Sequence, residues 1–299
     1  METLNNLERK LKSLNAKFKH FPAFHLDEIK TEIEELKITG RIDAQLYEKY
    51  LDYFQSDYSN IDLKKKSVIV IAVPQEISLV SFQINSKTIK AIIPPTYLYR
   101  DVIRKSEDIL IEIYGSEKAK LLRAPVKLLT VRSGLGKYGK NNICYIDGMG
   151  SFVRLISFLI DYPTEDYNWH EKEMLAECNG CNRCIENCPT HCISSDDFLI
   201  DAANCLTYYN ENPTDTINTL NPTAHNSLVG CMRCQLICPA NRPYINNKSL
   251  ITQFDKKETK LILNNRIDTS PNLVEKLYKL DMDEYKDVLS RNLKLLIQN

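Results

Sequence analysis

The chain has 299 residues, with 39 Lys+Arg against 39 Asp+Glu and 43% hydrophobic residues, so its formal net charge is zero. That balance excludes intrinsic disorder and a collagen-like chain, and it argues against a protein held to nucleic acid by bulk charge alone. The longest apolar run, Val68 to Val73, falls far short of the ~20 residues of a spanning helix, and the N-terminus has no apolar leader core; a cytoplasmic location with no membrane partner is the expectation.

Taken in chain order, residues 1–60 read as a helical segment. Leu4, Leu7, Leu11 and Leu14 recur at helical spacing, as do Leu26, Ile29, Ile33 and Leu36, with Gly40 as a stop. Residues 61–170 read as an α/β domain. Ser67–Val73 is a buried strand, and Ile77–Ile84 with Thr88–Ile93 form a hairpin around Asn85-Ser86-Lys87. Tyr97–Tyr114 has helical periodicity, Val126–Val131 reads as a strand, and Asn142–Ile146 and Phe152–Ile160 are further strands. Residues 171–247 are cysteine-rich, and 248–299 read as a helical tail carried by Leu273, Leu277, Leu280, Val288, Leu289, Leu293 and Leu296. The fold class is α+β: a mixed α/β domain, a ferredoxin-like domain, and a helical segment at each end.

Nine of the ten cysteines lie between Cys178 and Cys238. In a reducing compartment such clustering reads as metal binding rather than a disulfide cage. Cys178-Asn-Gly-Cys181-Asn-Arg-Cys184-Ile-Glu-Asn-Cys188-Pro189 is C-x2-C-x2-C-x3-C-P, the bacterial ferredoxin spacing for a 4Fe–4S cluster, whose fourth cysteine serves the other cluster of a pair. The mate is Cys231-Met-Arg-Cys234-Gln-Leu-Ile-Cys238-Pro239, one cysteine short, and Cys205 is the natural replacement. The pairing rule gives one cluster on Cys178, Cys181, Cys184 and Cys238 and a second on Cys188, Cys205, Cys231 and Cys234. Zinc is the competing reading, but structural zinc pairs two cysteines from each of two knuckles, unlike this x2-x2 loop with Cys-Pro. Cys192 and Cys144 fall outside the spacing and read as small packed residues.

Ser133-Gly-Leu-Gly-Lys-Tyr-Gly-Lys-Asn141 matches G-x-G-x-x-G through Gly134, Gly136 and Gly139 and approaches a phosphate loop at Lys140. A strand follows it where a dinucleotide fold needs a helix, and Asn141 stands where a phosphate loop needs Ser or Thr, so both nucleotide readings are weak. A third reading is a turn whose glycines let a planar ligand approach the backbone. Residues 117–140 carry a net charge of +6 and residues 171–247 a net of −5. The basic run reads equally as a solvated face or as a landing rim for an anionic cofactor or substrate.

Three features together resemble a known family. The Ser133–Asn141 loop, Gly150-Ser-Phe, and the double cysteine motif with Cys205 between its halves are similar to the epoxyqueuosine reductase family, which is related to the reductive dehalogenases. The tail Arg291-Asn-Leu-Lys-Leu-Leu is also similar to the end of that family's core. The resemblance implies an oxidoreductase with two 4Fe–4S clusters and a base-off cobalamin, held near Ser133, Gly134, Gly136, Gly139, Lys140 and Asn141. It implies a low-potential ferredoxin or flavodoxin as electron donor and a small-molecule or modified-nucleoside substrate. No histidine lies in the D-x-H-x-x-G pattern that holds cobalamin through a protein ligand.

The family's catalytic aspartate, which precedes Tyr-His, aligns with Leu98 in Leu98-Tyr99-Arg100-Asp101, so the substrate is expected to differ. Tyr99 with Arg100 then offers a proton donor, with Asp101 in reserve, against the plainer reading that Tyr97 and Tyr99 pack in a helix. Two other functions compete with the reductase. One is an iron–sulfur relay that reduces a corrinoid protein and has no substrate of its own. The other is tRNA binding, which zero net charge and the absence of the family's helical-repeat extension weigh against and the basic run keeps open.

Overall fold

The computed structural model describes residues 2–52, 54, 66–164, 169–195, 198–214, 217 and 220–298. The chain forms two compact units. The first takes Met1–Pro74, Asp101–Cys181 and Ser194–Ala203, and the second takes Gln75–Arg100, Asn182–Ile193 and Asn204–Asn299. The stretches 61–170 and 171–247, each expected as one domain, therefore contribute to both units.

The first unit is built on an antiparallel sheet in the order Lys17–Pro22, Ser67–Pro74, Val153–Ile160, Ala119–Leu121. Ser67–Val73 is buried along its whole length because both faces of the strand are covered. Val68, Val70 and Ala72 face a core with Phe21, Leu26, Ile29, Leu128 and Leu129. Ile69, Ile71 and Val73 face another with Leu7, Leu11, Leu110 and Phe158. This period of two explains why an unbroken apolar run still forms a strand. The helix His25–Ile38 stops as expected, with Gly40 at φ +67° and its N–H on the Lys37 carbonyl.

Two elements differ from expectation in this unit. Val126–Arg132 is a helix, not a strand: it follows Pro125, its Leu129 N–H bonds the Pro125 carbonyl, and Leu128, Leu129 and Val131 are buried. A short apolar run has no decisive period, and here helical packing prevails. Lys17–Pro22, read within a helical segment, is an edge strand paired with Ser67–Pro74, its alternating lysines in keeping with an edge position.

The second unit holds the hairpin Ile77–Ile84 and Lys87–Ile93, turned at Asn85 with φ +54°. Its third strand is Lys248–Phe254, parallel to Ile77–Ile84, with Phe82 and Phe254 stacked at 4.8 Å. The tail thus begins with a strand and only then becomes helical, through Lys256–Leu263, Pro271–Lys279 and Lys286–Gln298. The first of these helices is fixed by a capping box between Asp255 and Glu258. Leu273, Leu277, Leu280, Leu289 and Leu293 pack into one core with Phe82, Ile93 and Phe254. Tyr97 lies on a single 3-10 turn, Pro95–Tyr97, and the expected helix starts only at Arg100.

Candidate iron–sulfur centre

All ten cysteines are free of disulfides. In the first unit, Cys178 ends a 3-10 turn, Gly180 takes φ +68°, and the Cys181 N–H returns to the Cys178 carbonyl at 3.2 Å. This tight loop is what the x2 spacing asks for: it brings the backbone from one cysteine to the next within a single turn.

In the second unit the two cysteine motifs fold alike. Cys184 sits in the four-residue helix Arg183–Glu186 and Cys234 in Arg233–Leu236. Each helix is followed by Cys-Pro, with Cys188 N–H on the Ile185 carbonyl and Cys238 N–H on the Gln235 carbonyl. Asn187 Nδ2 donates to the Arg233 carbonyl at 3.2 Å and ties the two helices together. The shared x3-C-P tail is thus one helical turn and a proline exit, built twice.

Cys205 precedes the helix Leu206–Glu211, and a backbone N–H from Thr207 reaches its sulfur. The C-terminal helix holds this segment in place. The Arg291 guanidinium donates to the Tyr209, Asn212 and Thr214 carbonyls at 2.6, 3.0 and 3.2 Å. Asn292 Nδ2 donates to Asn210 and Leu228 carbonyls at 2.8 and 2.9 Å. The Arg291-Asn292 pair therefore has a physical role: it satisfies buried carbonyls on both sides of the second cysteine group. Gly230, at φ +63°, lies against the Tyr97 ring just before Cys231, and the Tyr97 hydroxyl donates to Glu211.

One cysteine is placed where spacing did not put it. Cys192 is buried, as expected of a packed residue, but its Sγ stands 3.5 Å from Cys188 Sγ and it also hydrogen-bonds Cys205. Those bonds from Cys192 draw the Cys188 and Cys205 thiols down and push Cys192 up. Cys144, in contrast, is buried in the Cys144–Tyr145 strand, and burial pushes its thiol up to about 12. Each cysteine of a cubane binds its own iron, so a cluster does not require three ligands to converge on one point. Among the described residues no three His, Cys, Asp or Glu side chains converge as a single ion requires.

The glycine loop is occupied by the protein itself. A Cβ on Gly136 would stand 2.8 Å from Cys144 Sγ, Ile146 Cδ1 and the Tyr145 carbonyl, and one on Gly134 2.8 Å from the His170 ring. A Cβ on Gly139 would meet Asn141 Oδ1 and the Tyr145 ring. Ser133 Oγ donates to the Thr130 carbonyl at 3.0 Å, and Asn141 Nδ2 to the Tyr145 hydroxyl at 3.0 Å. Lys140 Nζ donates to the Cys181 carbonyl at 3.1 Å, and Tyr138 exchanges backbone bonds with Glu173 and Leu175. The loop therefore requires glycine for its own packing at Gly134, Gly136 and Gly139, and Lys140 ties it to the Cys181 carbonyl. Gly136→Ala is accordingly expected to destabilise the protein by about 1–3 kcal/mol, the usual cost of overpacking, read from the midpoint of denaturant unfolding. An unchanged midpoint would mean that the loop has room to give.

Tyr99 and Arg100 lie together in the second unit. Their backbone N–H groups both donate to Asp281 Oδ2, at 2.6 and 3.0 Å, so this buried aspartate caps the helix that follows. Arg100 pairs in bidentate fashion with Asp283, at 2.7 and 3.0 Å, and stacks over Tyr278. The Tyr99 hydroxyl donates to Glu284 Oε1 at 2.6 Å. Arg100 beside Tyr99 predicts an acidified phenol; the phenol is instead pushed up to about 12, because burial and Glu284 outweigh the guanidinium. Asp101 lies on the exposed face of the helix, bonded to Lys105 and Arg104, and these partners hold its carboxylate below the usual range. Leu98 packs among the apolar side chains of the second unit's core. Sequence reasoning missed Asp281, Asp283 and Glu284, which sit some 180 residues from their partners.

Residues 177–241 match the model of a 4Fe–4S double cluster binding domain. An epoxyqueuosine reductase of Cyclobacterium marinum is 35% identical over 113 residues, 38% of this chain and 35% of that protein. That of Shewanella oneidensis is 28% identical over 160 residues, 49% of this chain and 39% of that protein. The aligned stretch spans little more than a third of either relative's own length. The structure of epoxyqueuosine reductase from Streptococcus thermophilus aligns at TM-score 0.63 and 18% identity, covering 99% of this chain and 81% of that one. Another, of an epoxyqueuosine reductase with an epoxyqueuosine-modified tRNA stem loop, aligns at TM-score 0.64 and 19% identity. Among the described residues no helix is long and apolar enough to cross a membrane. The chain is similar to the epoxyqueuosine reductases over part of its sequence and in its fold, and its residues 177–241 match a 4Fe–4S double cluster binding domain.

Proposed function

We propose that the protein is an iron–sulfur, cobalamin-dependent reductase that removes a leaving group from a substrate other than epoxyqueuosine in tRNA. The observation that carries the reductase part is the double cysteine motif, folded twice alike and aligned with the double-cluster domain. Loaded 4Fe–4S clusters supply one-electron transfer, fed by a low-potential ferredoxin or flavodoxin; the thiolates of this chain hold them. The corrinoid part rests on the resemblance, with Ser133, Gly134, Gly136, Gly139, Lys140 and Asn141 as the residues proposed to lie against it. The altered substrate rests on Leu98, an apolar side chain at the family's aspartate position.

Proton delivery then falls to another group. Asp101 is held as a carboxylate by Lys105 and Arg104 and has no proton to give at neutral pH. Tyr99 keeps its proton and is the donor proposed here on its place beside Leu98, with Glu284 and Arg100 fixing the ring, although a phenol pushed up to about 12 is a weaker acid than the expected one.

The test is an anaerobic titration of the iron-loaded protein with hydroxocobalamin, followed by absorption, and then an assay with epoxyqueuosine-modified tRNA. Binding with the spectrum of a base-off corrinoid, and little or no epoxyqueuosine reduction, is the expected result. Failure to bind with both clusters intact would favour an electron relay that reduces a corrinoid protein. Rapid epoxyqueuosine reduction would overturn the altered substrate.

A further inference from the structure

Motif and pairing assign Cys188, Cys205, Cys231 and Cys234 to the second cluster and leave Cys192 over, yet Cys192 stands against two of those four, Cys188 and Cys205. Two cysteines bound to different irons of one cubane point outward from separate corners, so their sulfurs cannot stay in hydrogen-bond contact. Cys188 and Cys192, with their sulfurs 3.5 Å apart, therefore cannot both be ligands of the same cluster. Cys188 owns the x3-C-P position, which leaves Cys192 beside the cluster. It is 5% exposed, and its sulfur reaches both Cys188 and Cys205.

From this placement we infer that Cys192 is a thiol hydrogen-bond donor to the Cys188 and Cys205 ligand sulfurs and raises the reduction potential of the second cluster. The inference rests on the two-cluster reading above. A donor aimed at a thiolate stabilises negative charge on the cluster, and the reduced state carries one more negative charge than the oxidised state. Removing the donor makes reduction harder and moves the midpoint down. The first cluster, which has no such extra thiol among its motif residues, serves as the internal reference.

The experiment is a redox titration followed by electron paramagnetic resonance on the anaerobically loaded full chain, comparing wild type, Cys192→Ala and Cys192→Ser, with iron counted in each. Both variants are expected to keep the wild-type iron content. In Cys192→Ala the midpoint of one cluster shifts to lower potential while the other stays in place. In Cys192→Ser, which keeps a donor, the midpoint stays at or above the wild-type value. Unchanged midpoints in Cys192→Ala with full iron would overturn the inference. Loss of half the iron in both variants would overturn it as well, by making Cys192 a ligand. A wild-type protein that holds no pair of clusters would instead overturn the underlying reading.

Discussion

Cys205→Ala is expected to cost the loaded protein one of its two clusters, lowering iron from about eight to about four per chain, while Cys144→Ala leaves both in place. The contrast follows from where the two thiols lie. Cys205 stands at the start of Leu206–Glu211, its sulfur met by a Thr207 N–H and a Cys192 thiol that favour the thiolate. The Arg291 and Asn292 bonds hold the flanking carbonyls, so removing the sulfur leaves the segment in place but one ligand short. Cys144 is buried in a strand against Gly136, with its thiol pushed up to about 12 by burial, and it lies outside both cysteine motifs. Iron analysis and electron paramagnetic resonance separate the outcomes. Retention of both clusters in Cys205→Ala would require another residue in the second set.

Tyr99→Phe is expected to lower turnover of the true substrate by about 10²-fold or more, the usual scale for losing a general acid, with iron content unchanged. The variant removes only the oxygen that donates to Glu284; the Asp281 cap on the Tyr99 and Arg100 backbone and the Arg100–Asp283 pair remain. Asp101→Asn should have little effect, because its carboxylate faces Arg104 and Lys105 on the helix surface. Unchanged turnover in Tyr99→Phe would remove Tyr99 from the mechanism and leave solvent or substrate as the proton source.

Local signals and long-range pairings were not equally legible in the sequence. The Ser67–Pro74 strand, the hairpin at Asn85 and the last two helices follow from periodicity and turn chemistry, because each depends on residues close by in the chain. The parallel strand Lys248–Phe254 was not legible: its seven residues carry only a weak alternation, and its partner Ile77–Ile84 lies far upstream. The same distance hid Asp281, Asp283 and Glu284 from Tyr99 and Arg100, and so reversed the expected direction of the Tyr99 shift. The glycine loop was legible as a loop, but not its packing. Spacing shows that glycine is needed there, and only the packed neighbours Cys144, Tyr145 and His170 show that the protein's own atoms take up the space. The local backbone of the cysteine motifs was the most legible, since x2 and x3 gaps span a single turn.

Iron and acid-labile sulfide counted on the anaerobically purified chain test most directly whether these cysteines hold two cubane clusters. About eight of each per chain are predicted, with an electron paramagnetic resonance spectrum of two 4Fe–4S centres on reduction. Stoichiometric zinc with little iron or sulfide would contradict it.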